Sequence, residues 1–199
     1  MKTLKRVLVL FSFVGLMLVG CSDQSQSPVS PSDQTSLQKN FTREFTGTNT
    51  PTAVTDPGIR KYPDGKIMVL KHKGPTLFAA SFGDGGSDIL SGPGEIEING
   101  KIDMKYPDPS TWKGEWRGKL VLTPAGVPGG LWQITWHGPS TFSPTAWNGG
   151  PGWILSLQMV GHGEGGDIHG MQFRAETIVY CEINFQGWYG DFTGLVKSH

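Results

Sequence analysis

Trp112-Lys113-Gly114-Glu115-Trp116-Arg117-Gly118-Lys119-Leu120-Val121-Leu122-Thr123 is the stretch on which the fold turns. Trp112, Gly114, Trp116, Gly118, Leu120 and Leu122 fall on one side of an extended chain. Lys113, Glu115, Arg117 and Lys119 fall on the other. A period of two is the strand period, and one dry face with one charged face marks a strand of an antiparallel sheet. Glycine at alternate dry positions gives such a strand places to bend.

The neighbouring segments repeat this device. Ile96, Ile98, Ile102 and Met104 alternate with Glu95, Glu97, Lys101 and Asp103, with Asn99-Gly100 between them. Asn-Gly can make a two-residue hairpin turn, but that turn would set Ile98 opposite Lys101 and Ile96 opposite Asp103. Such a register wets both faces, so Glu95 to Met104 reads as one long strand that bends at Gly100. Past the loop from Pro124 to Gly130, Leu131 to His137 carries Trp132, Ile134 and Trp136 on one side. Trp153 to Gly163 and Ile168 to Tyr180 form a hairpin around Glu164-Gly165-Gly166. A three-residue loop there pairs Met159 with Met171, Leu157 with Phe173 and Leu155 with Ala175, and keeps the faces separate.

Shorter strands are expected at Phe41–Phe45, around Ile67–Leu70, and between Phe185 and Val196. Thr50 to Gly58 and Pro139 to Pro151 read as loops, as does Gly83-Asp84-Gly85-Gly86-Ser87-Asp88, which lacks the ligand spacing of an EF-hand. No segment has helical periodicity. The 29 Gly and 14 Pro oppose long helices, and seven Trp with ten Phe suit pleated surfaces. The expectation is an all-β chain: an antiparallel up-and-down β-barrel, with a β-sandwich as the alternative.

Lys2, Lys5 and Arg6 precede an apolar run from Val7 to Val19 that ends at Leu18-Val19-Gly20-Cys21. A charged start, a short apolar core and small residues before a cysteine resemble the lipobox of bacterial lipoproteins. The resemblance implies a signal peptide over 1–20, removed before Cys21, with a diacylglyceryl thioether on Cys21 and further acylation of its amine by chains such as palmitate. Several chains hold a protein at a membrane where one would be marginal. Residues 21–40 are Ser-, Gln- and Pro-rich with little to bury and read as a disordered tether, leaving 41–199 for the barrel domain. The implied address is the cell envelope outside the cytoplasm, the outer membrane ahead of the inner, with Ser22 and Asp23 after the lipid site.

Gly114-Glu115-Trp116-Arg117-Gly118 and Gly163-Glu164-Gly165-Gly166-Asp167-Ile168-His169-Gly170 resemble the glycine-punctuated strands of allene oxide cyclase and dirigent-type (calycin-like) barrels. That likeness implies an interior able to take an apolar ligand; no catalytic residue is carried across from it.

Seventeen basic and seventeen acidic side chains balance, so no broad field draws nucleic acid. No Gly-Lys-Ser, Gly-Lys-Thr or Gly-x-Ser-x-Gly motif occurs, and no cofactor is implied. With Cys21 lipidated, Cys181 lacks an intramolecular partner and reads as a small buried apolar group. Trp112, Trp116, Trp132 and Trp136 are candidate pocket walls, with core packing as the competing role. His169 falls on the apolar parity and is the candidate polar group at a cavity mouth. His162, Glu164, Asp167 and His169 contain metal-ligand types, but the preferred register turns His162 outward and His169 inward. Three functions follow as expectations. The first is a lipid-anchored barrel binding a small apolar ligand or lipid. The others are a cyclase- or isomerase-type enzyme using His169, and an envelope interaction protein with a filled barrel presenting Pro139–Pro151. The volume inside the barrel separates them.

Overall fold

The computed structural model describes residues 41–53, 58–85 and 88–198. Nine antiparallel strands form a single sheet that closes in a ring. They are β1 (Thr42–Pro51), β2 (Ile59–Lys61), β3 (Lys66–Phe82), β4 (Gly92–Asp103), β5 (Lys113–Leu122), β6 (Leu131–Trp147), β7 (Gly150–Glu164), β8 (Gln172–Glu182) and β9 (Trp188–Lys197). From β3 to β9 each strand pairs with the next, and β1 completes the circuit by pairing with both β9 and β3. Short β2 pairs only with the first part of β3, outside the seam. Closure gives every strand of the ring a partner on each side, which removes the exposed edges an open sheet would carry.

The long β4 is confirmed: it pairs with β5 without a break from Gly94 with Leu122 through Asp103 with Lys113. The reason lies under Trp116. Gly100 sits directly opposite Trp116, and a side chain there would intrude on the indole. Gly118 stands in the same way opposite Trp136, Gly47 opposite Phe192, and Gly194 opposite Phe45. Inward glycine facing an aromatic residue is a recurrent pair in this ring. The glycine supplies curvature and the ring covers its backbone, so a tight barrel fills with the fewest side chains.

The structure corrects four details. β6 and β7 run through the segment expected as the Pro139–Pro151 loop, and the turn is two residues, Asn148-Gly149, both with positive φ. Pro, Ser and Thr dominate that segment, so no alternation announced the strands. The β7–β8 connection is longer than three residues: a 3-10 turn at Gly166–Ile168 shifts the register to Met159 with Ala175 and Leu157 with Thr177. The shift is an even number of residues, so both faces kept their composition. β1 reaches Pro51 and β3 reaches Phe82, both beyond their expected ends. Finally, β3 carries an irregularity between Val69 and His72, where Lys71 has φ 49° and its N–H donates to Asn99 Oδ1 at 3.0 Å. One extra residue reverses the parity, so odd positions Ile67 and Val69 and then even positions His72, Thr76 and Phe78 face inward.

Both ends of the ring are plugged. At one end residues 88–91 and 123–130 bury Ile89, Leu90 and Val127, with Ile168 and Met171 from the β7–β8 connection. Trp132 Nε1 donates to Ile89 O there at 2.7 Å. At the other end Trp112, Phe142, Trp153 and Phe185 pack ring on ring, with centroids 5.1 to 6.4 Å apart.

Candidate functional site

Two places on this scaffold have the shape of a site. The first is inside. Between the plugs lies a cavity of about 60 Å³, walled by Val69, Ile96, Ile98, Leu155, Met159 and Phe192 among other apolar groups. Asn49, His72, Thr177 and Cys181 add polar atoms to it, and Trp116 and Trp136 lie across it. Thr76 and Thr177, both buried, are hydrogen-bonded: Thr76 Oγ1 donates to Asn49 Oδ1, and Thr177 Oγ1 donates to the backbone carbonyl of Asp191 at 2.8 Å. Trp116 Nε1 donates to Ser140 Oγ at 2.8 Å. Trp136 Nε1 is buried without a hydrogen-bond partner. Burial, with Glu182 close by, pushes the Cys181 thiol far above its ordinary range, so it stays neutral and unreactive.

A cavity of that size admits a water or two. Sites for small organic ligands run to about 300 Å³ and more. The tryptophans fill the space instead of lining it. Of the four expected wall residues only Trp116 and Trp136 meet at the cavity. Trp132 belongs to one plug and Trp112 to the other, where its Nε1 donates to Tyr106 O at 2.8 Å.

His169 is exposed, contrary to its expected inward position. The 3-10 turn breaks the strand alternation, and Ile168 takes the buried place. His162 Nε2 meets Glu164 Oε1 at 2.9 Å, both exposed. Among the described residues no three His, Cys, Asp or Glu groups converge to hold a metal ion. Cys21 lies outside the described residues. The interior histidine is His72, which the sequence hides because only the β3 irregularity turns it inward.

The second place is outside. Strand tilt makes the outer wall of a small barrel concave at its waist, and here the concavity is a groove of about 1240 Å³. The pairing registers set its floor in two lateral rows. One runs Ser81, Thr46, Thr193, Glu176, Gln158, His137. The next runs Ala79, Thr48, Asp191, Ile178, Ser156 and ends at Pro139. At about 4.8 Å per strand, the six strands cover about 24 Å of the ring's outer circumference. The charges of this lining among the described residues are the carboxylates of Glu176 and Asp191, and the adjoining depression, which shares Thr46, Ser81, Gln158, Glu176 and Thr193, adds Glu44 and Arg174. Beyond the second row, Tyr180 and Tyr189 face each other across β8 and β9 and stack at 5.1 Å; Trp147 joins Tyr189 at 5.6 Å. All three are half-buried, and Ile178 beside them is exposed. The sequence reading places Trp147 in the expected Pro139–Pro151 loop and assigns no face to the strand that carries Tyr189.

Comparison with protein-family models, with curated proteins and with solved structures gives no match.

Proposed function

We propose that this chain is a lipid-anchored, extracytoplasmic binding module of the cell envelope, held by acyl chains on Cys21 and working through the outside of a filled barrel. One observation carries the choice among the expected functions. The interior retains about 60 Å³, whereas the waist groove outside it has about 1240 Å³. A filled barrel with a broad polar groove supports recognition at the surface. The enzyme reading loses its proposed base, since His169 stands exposed and away from the cavity lining. The anchor rests on the sequence from Lys2 to Cys21.

A second reading, a small apolar ligand inside, keeps one observation in its favour: an apolar-walled cavity with the unpartnered Trp136 Nε1 at its lining. It requires the aromatic rings to move aside. One experiment addresses both. The full chain and a Cys21→Ser variant are expressed in a bacterial host, fractionated, and labelled with radioactive palmitate. The purified full chain is then extracted with organic solvent for mass spectrometry. The expected result is acyl label and membrane fractionation that depend on Cys21, with no stoichiometric ligand in the extract. Label and fractionation unchanged by Cys21→Ser refute the anchor. A stoichiometric apolar molecule in the extract replaces the filled-barrel reading with the second one.

A further inference from the structure

The chain holds two Asn-Gly dipeptides, at Asn99 and at Asn148, and the fold gives them opposite surroundings. We infer that Asn148 is a site of spontaneous covalent modification, deamidation through a succinimide, and that the fold shields Asn99 from the same reaction. The backbone nitrogen of the following residue attacks the asparagine side-chain carbonyl carbon. An N–C bond forms, and the side-chain amide departs as ammonia. Water then opens the five-membered ring at either carbonyl, leaving aspartate or isoaspartate. Nothing is oxidised or reduced, and water is the co-reactant. Glycine favours the attack because it puts no side chain beside the nucleophile and lets the backbone turn freely.

The surroundings of Asn148 suit each step. Asn148 and Gly149 are both exposed at the tip of the β6–β7 hairpin. Among the described residues neither the Asn148 carboxamide nor the Gly149 N–H has a protein hydrogen-bond partner. A Cβ at Gly149 would meet nothing within 4 Å, so the approach is open. Ring closure requires the tip peptide to swing out of its left-handed conformation, with φ 49° at Asn148 and 82° at Gly149. Little holds it. Trp147 pairs with Gly150 below the tip, and the ladder then skips across an irregularity to Ser143 with Gly152. The swing opens one strand pair and leaves the barrel closed.

Asn99 is the counterexample within the same molecule. It is half-buried in β4, which pairs with β3 on one side and β5 on the other, and Gly100 is buried against Trp116. Its Oδ1 accepts from the Lys71 N–H at 3.0 Å and its Nδ2 donates to Glu97 Oε1 at 3.4 Å, which fixes the carboxamide. To react, Asn99 must wait for β4 to leave the sheet, so it is expected to convert at least about a hundredfold more slowly. Either product at position 148 places a carboxylate where the amide was neutral. Isoaspartate also lengthens the main chain by one methylene, which a two-residue turn does not accommodate, so the Trp147–Gly150 pair is lost.

The test incubates the full chain in detergent micelles at mildly alkaline pH and samples it over weeks. Samples are digested at acidic pH, where ring closure is suppressed, and the peptides are resolved by chromatography and mass spectrometry. The expected result is aspartate and isoaspartate at position 148, with isoaspartate in excess, while Asn99 stays an amide. In urea the two rates converge, because both dipeptides then lie in open chain. Asn148→Gly, which accepts the positive φ of the turn, keeps the fold and removes the modification. The inference is overturned if Asn148 in folded protein stays an amide over the time in which the unfolded chain converts. It is equally overturned if Asn99 reacts as fast as Asn148 in folded protein, or if the two rates stay apart in urea.

Discussion

Gly47→Ala should destabilise the barrel, although strand propensity alone says the opposite. In an ordinary strand interior, replacing glycine with alanine reduces the conformational freedom of the unfolded chain and gains about 0.5–1 kcal/mol. Gly47, however, sits in the strand that closes the ring, opposite Ala80 on one side and Phe192 on the other. A Cβ there would stand 2.5 Å from Ala79 O, 2.9 Å from Phe192 Cε2 and 3.1 Å from Ala80 Cα, where ordinary contact begins at 3.4 Å. The deficit against the carbonyl is 0.9 Å (3.4 less 2.5), and backbone paired into a sheet cannot swing away as a side-chain tip can. Moving β3 back would stretch the seam; moving Phe192 would disturb its stack on Phe78, at 4.4 Å between centroids. Overpacking of this kind costs about 1–3 kcal/mol, so after the propensity gain a net loss of about 1–2 kcal/mol remains. For a domain of this size the melting temperature should fall by about 2–8 °C. Thermal unfolding followed by circular dichroism measures it, with Gly83→Ala as the control, because a Cβ at Gly83 meets nothing within 4 Å. Combining Gly47→Ala with Phe192→Leu should be non-additive, since the two share a contact. A melting temperature that rises in Gly47→Ala would show that the seam is not closed as described.

Three further outcomes are expected. Thr76→Val removes a buried hydroxyl that donates to Asn49 Oδ1, and leaving that acceptor unpaired should cost about 1–3 kcal/mol in denaturant unfolding. The Cys181 thiol, buried and held neutral, should react with a maleimide at pH 8 only as fast as the barrel opens. Its folded pKa lies above its unfolded value, so stability is fully present below pH 9 and is lost as pH rises beyond it; Cys181→Ala should flatten that alkaline slope. Prompt labelling of native protein would contradict the burial. At the other extreme of pH, the Ser110 N–H at 2.9 Å holds the Asp108 carboxyl below its usual range. Its small contribution is therefore present above the ordinary carboxylate range and lost as pH falls through the lowered value; an NMR titration of Asp108 with an ordinary midpoint would refute the cap.

The strands were legible where apolar and charged residues alternate. Lys113 to Leu122 shows its two faces outright, and the choice of one long strand over an Asn99-Gly100 hairpin followed from register alone. Asn148-Gly149 has the same dipeptide and is a real turn, yet Ser143-Pro144-Thr145 and Pro151-Gly152 around it carry no alternation to expose the strands. The site was less visible still. Its polar row is assembled from residues as distant in sequence as Thr46 and His137, and only the lateral pairing of six strands brings them into line.

By itself, the sequence determined the antiparallel all-β class and the inward face of most strands, because side-chain parity is a local property of an extended chain. It also supplies the residues, Lys2 to Cys21, on which the proposed anchor rests. Tertiary structure alone decided which residues face the interior after a one-residue irregularity, as at His72, and which lateral partners meet across the waist. It also decided how the inward tryptophans fill the lumen. Trp116 and Trp136 lie across facing glycines and Trp112, Trp132 and Trp153 lie within the plugs, and how much space that leaves depends on distances between strands that no single strand encodes.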